Sequence, residues 1–280
     1  MNPELEVARL GGVARTSTLS DRGYSRYFVS RAVAAGSLVR PARGWVALPQ
    51  ADPELVAAAR DGYVLSCITQ ARRLGLWVLE ETEPHVGARA WSANATAAAC
   101  RVHWGEPLVQ RVPDQLVDPI ENVLGYVAAC QPFEAALAVW ESALNKGLVD
   151  IEFLRQLPLK PAARRLLHEA HPYSDSGLES MLRARLRWLQ LPVVAQAWVH
   201  GRRVDFLIDG WLVLQVDGSH HVGAQRESDV THDAELLARG MSVIRLGYRQ
   251  LVHDWQRAQE LIMNALARGP AARPRERGAS

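Results

Sequence analysis

Between residues 202 and 221 apolar and polar side chains take turns. Val204, Phe206 and Ile208 alternate with Asp205 and Leu207, and Leu212, Leu214 and Val216 alternate with Val213, Gln215 and Asp217. A period of two belongs to a strand with one face on a core, so strands are predicted at 203–208 and 212–216. Around them the pattern predicts a helix at 177–190, a strand at 194–199, a helix at about 224–239, a strand at 242–246 and a helix at about 249–268. One sheet with flanking helices is an α/β unit.

The turn at Asp209-Gly210 sets the register of the hairpin. A two-residue loop pairs 208 with 211 and puts Asp205 on the face of Leu212, Leu214 and Val216. A three-residue loop pairs 208 with 212 and 205 with 215. It gathers the apolar residues on one face and Asp205, Gln215 and Asp217 on the other. A slip of one residue exchanges faces, so burial selects the three-residue loop.

Toward the N-terminus the periodicity changes to that of helices, at 3–10, 16–22 and 26–35. In the third, Phe28, Val29, Ala32 and Val33 sit at helical spacing, Ser25 can cap the start and Gly36 fits the position after the end. Short strands at 37–40 and 45–48 flank the turn 41–44. Three helices and a hairpin make a winged helix-turn-helix. The middle of the chain reads as helices at 53–60, 66–74, 119–130, 132–145 and 150–156, with strands at 86–91 and 101–104. It shows no catalytic constellation, and His85 and His103 read as lone, structural or solvent-facing histidines. The fold class is therefore α+β, with α/β character at the C-terminal end. Its parts are residues 1–50 (winged helix), 51–172 (mixed middle region), 173–268 (sheet domain) and a polar, disordered tail, 269–280.

Composition adds bounds. The 280 residues are 48% hydrophobic and 22% charged, which excludes a disordered or collagen-like chain. Apolar runs are far shorter than the roughly 20 residues that span a bilayer. The first residues carry acids and lack an apolar stretch, so no signal peptide is expected. Three cysteines (Cys67, Cys100 and Cys130), widely spaced and without a CxxC, argue against a disulfide framework and against a cysteine zinc site, and suit a reducing cytoplasm. Net charge is +2, and Arg supplies all the basic residues but Lys146 and Lys160. A GC-rich genome accounts for that bias, so charge alone does not single out nucleic acid.

Candidate chemistry then lies on the polar sheet face. Acids gathered there repel unless a cation or proton intervenes. Hard carboxylate and amide oxygens suit Mg²⁺, which keeps waters and takes a substrate phosphate, and such an ion lowers the pKa of bound water. The alternative is that Asp205 and Asp217 are ordinary polar-face residues. Glu179 is a third acid, although Ser176-Gly177-Leu178-Glu179 also spells a capping box. His220 and His221 can serve as general acid or base. Asp229 and Asp233 share a helical face. Arg245 can hold a phosphate or pair with these acids.

These residues carry a resemblance. Glu179, Val204-Asp205-Phe206, Leu214-Gln215-Val216-Asp217-Gly218 with His221, then Asp229, Asp233, Leu237, Gly240 and Val243-Ile244-Arg245 resemble a domain family related to very-short-patch-repair endonucleases, within the PD-(D/E)XK superfamily. The resemblance spans about 95 residues and implies a restriction-endonuclease-like sheet, Mg²⁺ (or Mn²⁺) and hydrolysis of DNA phosphodiesters by a metal-activated water. It implies Asp205 as principal metal ligand, Glu179 as the supporting helix acid, Gln215 where the family usually has Glu, Asp217 where the wider superfamily has Lys, and His221 as the family histidine. A neutral Gln215 and the absence of any Lys in this region depart from the pattern. Residues 1–50, followed by 66–77 (SCITQARRLGLW), resemble the winged-helix module of AbiEi-type antitoxin regulators. That implies DNA binding with 26–35 as recognition helix, Ser25, Arg26, Tyr27, Ser30 and Arg31 facing the groove, and Arg40 and Arg43 on phosphates.

Together these readings imply a cytoplasmic protein acting on double-stranded DNA, with a homodimer as one assembly the reading allows and no membrane partner. In its leading form the sheet site cleaves, with Asp205, Gln215, Asp217, His220 and His221 as the reacting set. In the alternative form the chain is a non-catalytic regulator of the antitoxin kind built on a decayed nuclease fold.

Overall fold

In the structure, a computed structural model that describes residues 2–88, 100–172, 176–217 and 224–270, the chain begins with α1 (Pro3–Arg9), β1 (Val13–Arg15), α2 (Thr16–Asp21), α3 (Arg26–Ala34) and β2 (Trp45–Ala47). The Asn2 side chain accepts from the Glu4 and Leu5 amides and so satisfies two of the donors a helix start leaves open. α3 turns Val29 and Ala32 inward, where they join Val7, Ala14, Leu19, Leu38 and Val46 in one buried cluster. β1 and β2 pair antiparallel, Val13 opposite Ala47. The strand expected at 37–40 reduces to a single bridge, Val39 to Ala47, and the partner along β2 is β1. A three-residue strand is too short to display alternation, so β1 left no trace in the pattern.

The first unit, Met1–Tyr173, continues with α4 (Pro53–Asp61), β3 (Tyr63–Leu65), α5 (Cys67–Arg73), β4 (His85–Ala88), β5 (Arg101–His103), α6 (Ile120–Cys130), α7 (Phe133–Asn145), α8 (Ile151–Gln156) and α9 (Pro161–Glu169). β3 and β4 are antiparallel, β4 and β5 parallel. Val13, Trp45 and Ala47 pack with Ala58, Ala59, Tyr63, Leu65, Val86 and Leu116, so residues 1–50 share a core with the segment that follows. Trp140 is fully buried and donates its indole N–H to the Leu124 carbonyl at 3.1 Å, the partner that a buried Trp needs. Asp118, with a fully buried carboxylate, takes Arg111 in a two-point pair (2.7 and 3.0 Å), which Asn122 also joins. α9 falls where the pattern predicts no helix. It is nine residues long and buries only Ala163 and Leu166, so few apolar positions announce it.

The second unit, Ser174–Ser280, holds α10 (Gly177–Arg185), β6 (Val193–Val199), β7 (Arg202–Ile208), β8 (Leu212–Asp217), α11 (Ala224–Ala238), β9 (Ser242–Gly247), α12 (Tyr248–Val252) and α13 (Trp255–Arg268). The sheet runs β6-β7-β8-β9, antiparallel up to β8 and parallel between β8 and β9. The long helix expected over 249–268 is two helices, parted at His253 and Asp254. Both units mix helices and sheets, an α+β chain, and among the described residues no helix is long and apolar enough to cross a membrane. Residues 271–280, most of the expected tail, lie outside the described residues.

Candidate functional site

The hairpin register decides what can meet on the sheet. Ile208 lies opposite Leu212, Leu207 opposite Val213 and Phe206 opposite Leu214. Three residues form the loop, and Asp209 and Gly210 both take positive φ (50° and 72°), a conformation that Asp and Gly tolerate. Val204, Phe206, Ile208, Leu212 and Leu214 are buried, while Asp205 and Gln215 are half-buried on the opposite face. The pairing that burial selects is the one found.

On that face the described carboxylates have protein partners. Asp205 Oδ2 accepts the Val216 backbone N–H at 2.7 Å. Glu179, in the first turn of α10, is 7% exposed, and its carboxylate accepts from the Gln196 side-chain amide. Gln196 lies on β6 between the pairs Ala195–Phe206 and Ala197–Val204, the position opposite Asp205. Its φ of 53° is in the left-handed region, a local departure from strand geometry beside the acids. The Ser176 hydroxyl accepts from the Glu179 amide at 3.2 Å, which supplies the serine half of the capping box. Glu179 thus reaches the row of Asp205 through Gln196.

Asp217 is held differently. Arg245, placed opposite Gln215 by the parallel register, donates to Asp217 Oδ1 at 2.9 Å and takes Asp233 in a two-point pair at 2.7 and 3.0 Å. Hydrogen bonds to Asp233 first, and then to Asp217 against the cost of burial, raise the Arg245 pKa further above its ordinary value. The guanidinium is therefore committed to carboxylates. On α11, His232 is 3% exposed and neither ring nitrogen has a hydrogen-bond partner among the described residues. Burial, and then the charge of Arg202, hold its pKa below the usual imidazole value. His220 and His221 lie outside the described residues, as does the side chain of Asp229.

In the first unit, α3 presents a polar face. Ser25, Arg26, Tyr27, Ser30 and Arg31 are exposed beside the buried Val29 and Ala32. Tyr27 is 65% exposed, packs edge-on against Phe28 and lies under the Arg31 guanidinium at 5.8 Å. Arg40 donates to Ser30 Oγ at 3.5 Å, and Arg43 is exposed. Among the described residues no carboxylate forms an ion pair with Arg26, Arg31, Arg40 or Arg43. Arg9 and Arg22, by contrast, both bind Glu6, and the hydrogen bond from Arg22 is the main reason that the Glu6 pKa is lowered.

The sequence passed over one constellation. Cys67, His85, His103 and Cys130 bring one ligand atom each within 4.8 Å of one another. The two histidines are therefore not lone. The hydrogen bond with Cys67 pulls the Cys130 thiol far below its usual pKa, aided by His103 and His85, and the same bond, with burial, pushes Cys67 up. No spacing rule announces such a group, because its members come from α5, β4, β5 and α6 and meet only across the sheet. The unusual signal available in the chain was two cysteines and two histidines within one region that otherwise showed no chemistry.

Compared with known families, residues 2–49 match one described as transcriptional regulator, AbiEi antitoxin.

Proposed function

We propose that the chain binds duplex DNA through α3 and acts there as a regulator similar to the AbiEi-type antitoxins. The observation that carries this reading is the α3 face itself. Two arginines, a tyrosine and a serine project from a helix anchored by Val29 and Ala32, with Arg40 and Arg43 nearby, and the family match covers this segment. The winged-helix reading of these elements puts α3 in the major groove and the arginines after it on phosphates. Uncommitted guanidiniums have their charge available for phosphate, whereas Arg9 and Arg22 have spent theirs on Glu6. Binding by a homodimer would show as protection of two half-sites about one helical turn apart. The test is a titration of labelled duplex at several salt concentrations. Affinity falls steeply with salt, and Arg40→Ala and Arg43→Ala, which remove the phosphate contacts, each flatten the slope. A salt-independent signal, or slopes unchanged in both variants, rejects the reading.

A second reading is supported by the register of β7 and β8, which carries Asp205 and Gln215 on one face of the sheet, and by the hydrogen bond of Glu179 to Gln196 on the neighbouring strand. In this reading the unit is nuclease-like. Two carboxylates and an amide oxygen form a hard donor set that fits Mg²⁺ or Mn²⁺, which needs only one or two protein carboxylates beside water and phosphate. Asp205, Glu179 and Gln215 would hold the ion, and a bound dication would supply an activated water and stabilise charge on a DNA phosphodiester. Arg245 screens Asp217 and Asp233, so that Asp217 contributes through the pair and not as a free carboxylate, and His221 or His220 would assist proton transfer. Plasmid nicking with Mg²⁺ or Mn²⁺ tests it. Nicking that disappears in Asp205→Ala supports hydrolysis at this face. No nicking by the folded chain, or nicking that survives the substitution, leaves the DNA-binding reading alone standing.

A further inference from the structure

We propose that Cys67, His85, His103 and Cys130 bind one structural Zn²⁺ in the first unit. Two of the separations already match a tetrahedral shell. His103 Nε2 lies 3.3 Å from His85 Nδ1, and Cys130 Sγ lies 3.5 Å from the same nitrogen. Ligands at zinc bond lengths of about 2.0–2.1 Å to nitrogen and 2.3 Å to sulfur stand about 3.3 Å apart for two nitrogens and about 3.5 Å apart for nitrogen and sulfur. All four ligand atoms lie within 4.8 Å of one another, which also leaves room for two sulfurs at about 3.8 Å across such a tetrahedron.

The chemistry of the group favours zinc over protein partners alone. His85 Nδ1 faces an imidazole nitrogen and a sulfur together, and a single ring nitrogen carries either one proton or one lone pair. A dication accepts lone pairs from all four atoms, and two sulfurs with two imidazoles are a set that selects Zn²⁺ over harder ions. Binding involves no redox change: the two thiols lose their protons to solvent as thiolates form, and the two imidazoles bind neutral. With four protein ligands the shell is closed, the mark of a structural and not a catalytic site.

The surroundings are those of a built site. Arg101 Nη1 and Gln131 Nε2 reach Cys130 Sγ at 3.6 and 3.5 Å, donors that stabilise a thiolate ligand and hold it in place. The His85 backbone N–H donates to Thr69 Oγ1 at 2.6 Å and fixes β4 against α5. Cys67 has φ of 47°, a left-handed conformation unusual for a cysteine, in a fully buried position. Cys67 and His85 are buried while His103 and Cys130 are half-buried, and His103 stands in the wall of a cavity of about 220 Å³ also lined by Trp104, Glu106, Tyr126 and Lys160. Bound zinc would join the start of α5, two short strands of four and three residues, and the end of α6.

The test uses the full chain, purified under reducing conditions, stripped with a chelator and titrated with Zn²⁺ and separately with Co²⁺. One zinc per chain is expected, and cobalt should give the intense visible bands of a tetrahedral ion with thiolate ligands. Cys130→Ser and His103→Ala should lose both, Cys100→Ser should keep both, and Arg101→Ala should keep the geometry but bind zinc about 10–100-fold more weakly. The stripped wild-type titration needs no variant to fold. Substoichiometric zinc on a folded reduced chain, weak octahedral cobalt bands, a Cys67–Cys130 disulfide persisting under reduction, or bands unchanged in Cys130→Ser each overturn the proposal.

Discussion

The Cys/His group in the first unit and the acidic sheet face in the other unit both gather candidate metal ligands, yet they are built on opposite principles. In the Cys/His group, four lone-pair donors converge on one point and two of them share a single imidazole nitrogen. On the acidic face, Asp205 accepts a backbone amide, Glu179 a glutamine, and Asp217 and Asp233 share one guanidinium. Convergence of four lone-pair donors on one point invites a metal, whereas distributed pairing already offsets much of the mutual repulsion of the acids. A row of acids on a sheet is therefore a weaker sign of a cation than four mixed donors around a common centre.

Metal removal breaks the comparison most strongly. Chelation should lower the thermal midpoint of the first unit by about 10 °C or more, because binding free energy at a closed site adds to folding. Scanning calorimetry with and without chelator reads this, and an unchanged midpoint would make the two regions equivalent. Next in size is Asp118→Ala, which strands Arg111 beside a carboxylate-shaped hole and should cost about 3–5 kcal/mol by urea unfolding. Arg245→Ala on the acidic face should cost less, about 1–2 kcal/mol, since Asp217 is 43% exposed and water replaces part of the pair. A larger loss there than at Asp118 would show that the acids lean on Arg245 more than their exposure implies. Gln215→Glu sharpens the same question: if the face is a weakened cation site, Mn²⁺ affinity measured by electron paramagnetic resonance rises, and no change places Gln215 outside it.

The smallest expected effect comes from His232. Its folded pKa is lowered, so the native state binds fewer protons than the unfolded chain in the interval just below the ordinary value of about 6.5. Stability from this residue is therefore complete above that value and falls with pH through the interval. Urea midpoints at pH 5.5 and 7.5 should differ more in the wild type than in His232→Leu. Equal differences would mean that His232 keeps its proton balance on unfolding.

Legibility from sequence followed the range of the interactions. The hairpin of β7 and β8 could be read with its register, because alternation and an Asp-Gly turn act over a dozen residues and burial penalises the wrong face. The serine cap of α10 and the exposed face of α3 were legible for the same reason. β1 was not, being three residues long, and neither was α9, a nine-residue helix with only two buried positions. The pairing of Arg245 with Asp217 and Asp233 was only one of two options, since which acid a guanidinium meets depends on where β9 comes to lie beside β8.

By itself the chain determined its local periods: where strands alternate, which helices carry an apolar stripe, and which polar residues ride on the other side. Only tertiary structure decided that Cys67, His85, His103 and Cys130 meet, and that Glu179 accepts from Gln196 on β6. Backbone hydrogen bonding and side-chain burial are written into neighbouring residues, but convergence of side chains from separate elements depends on how those elements pack, and no short stretch of sequence encodes that.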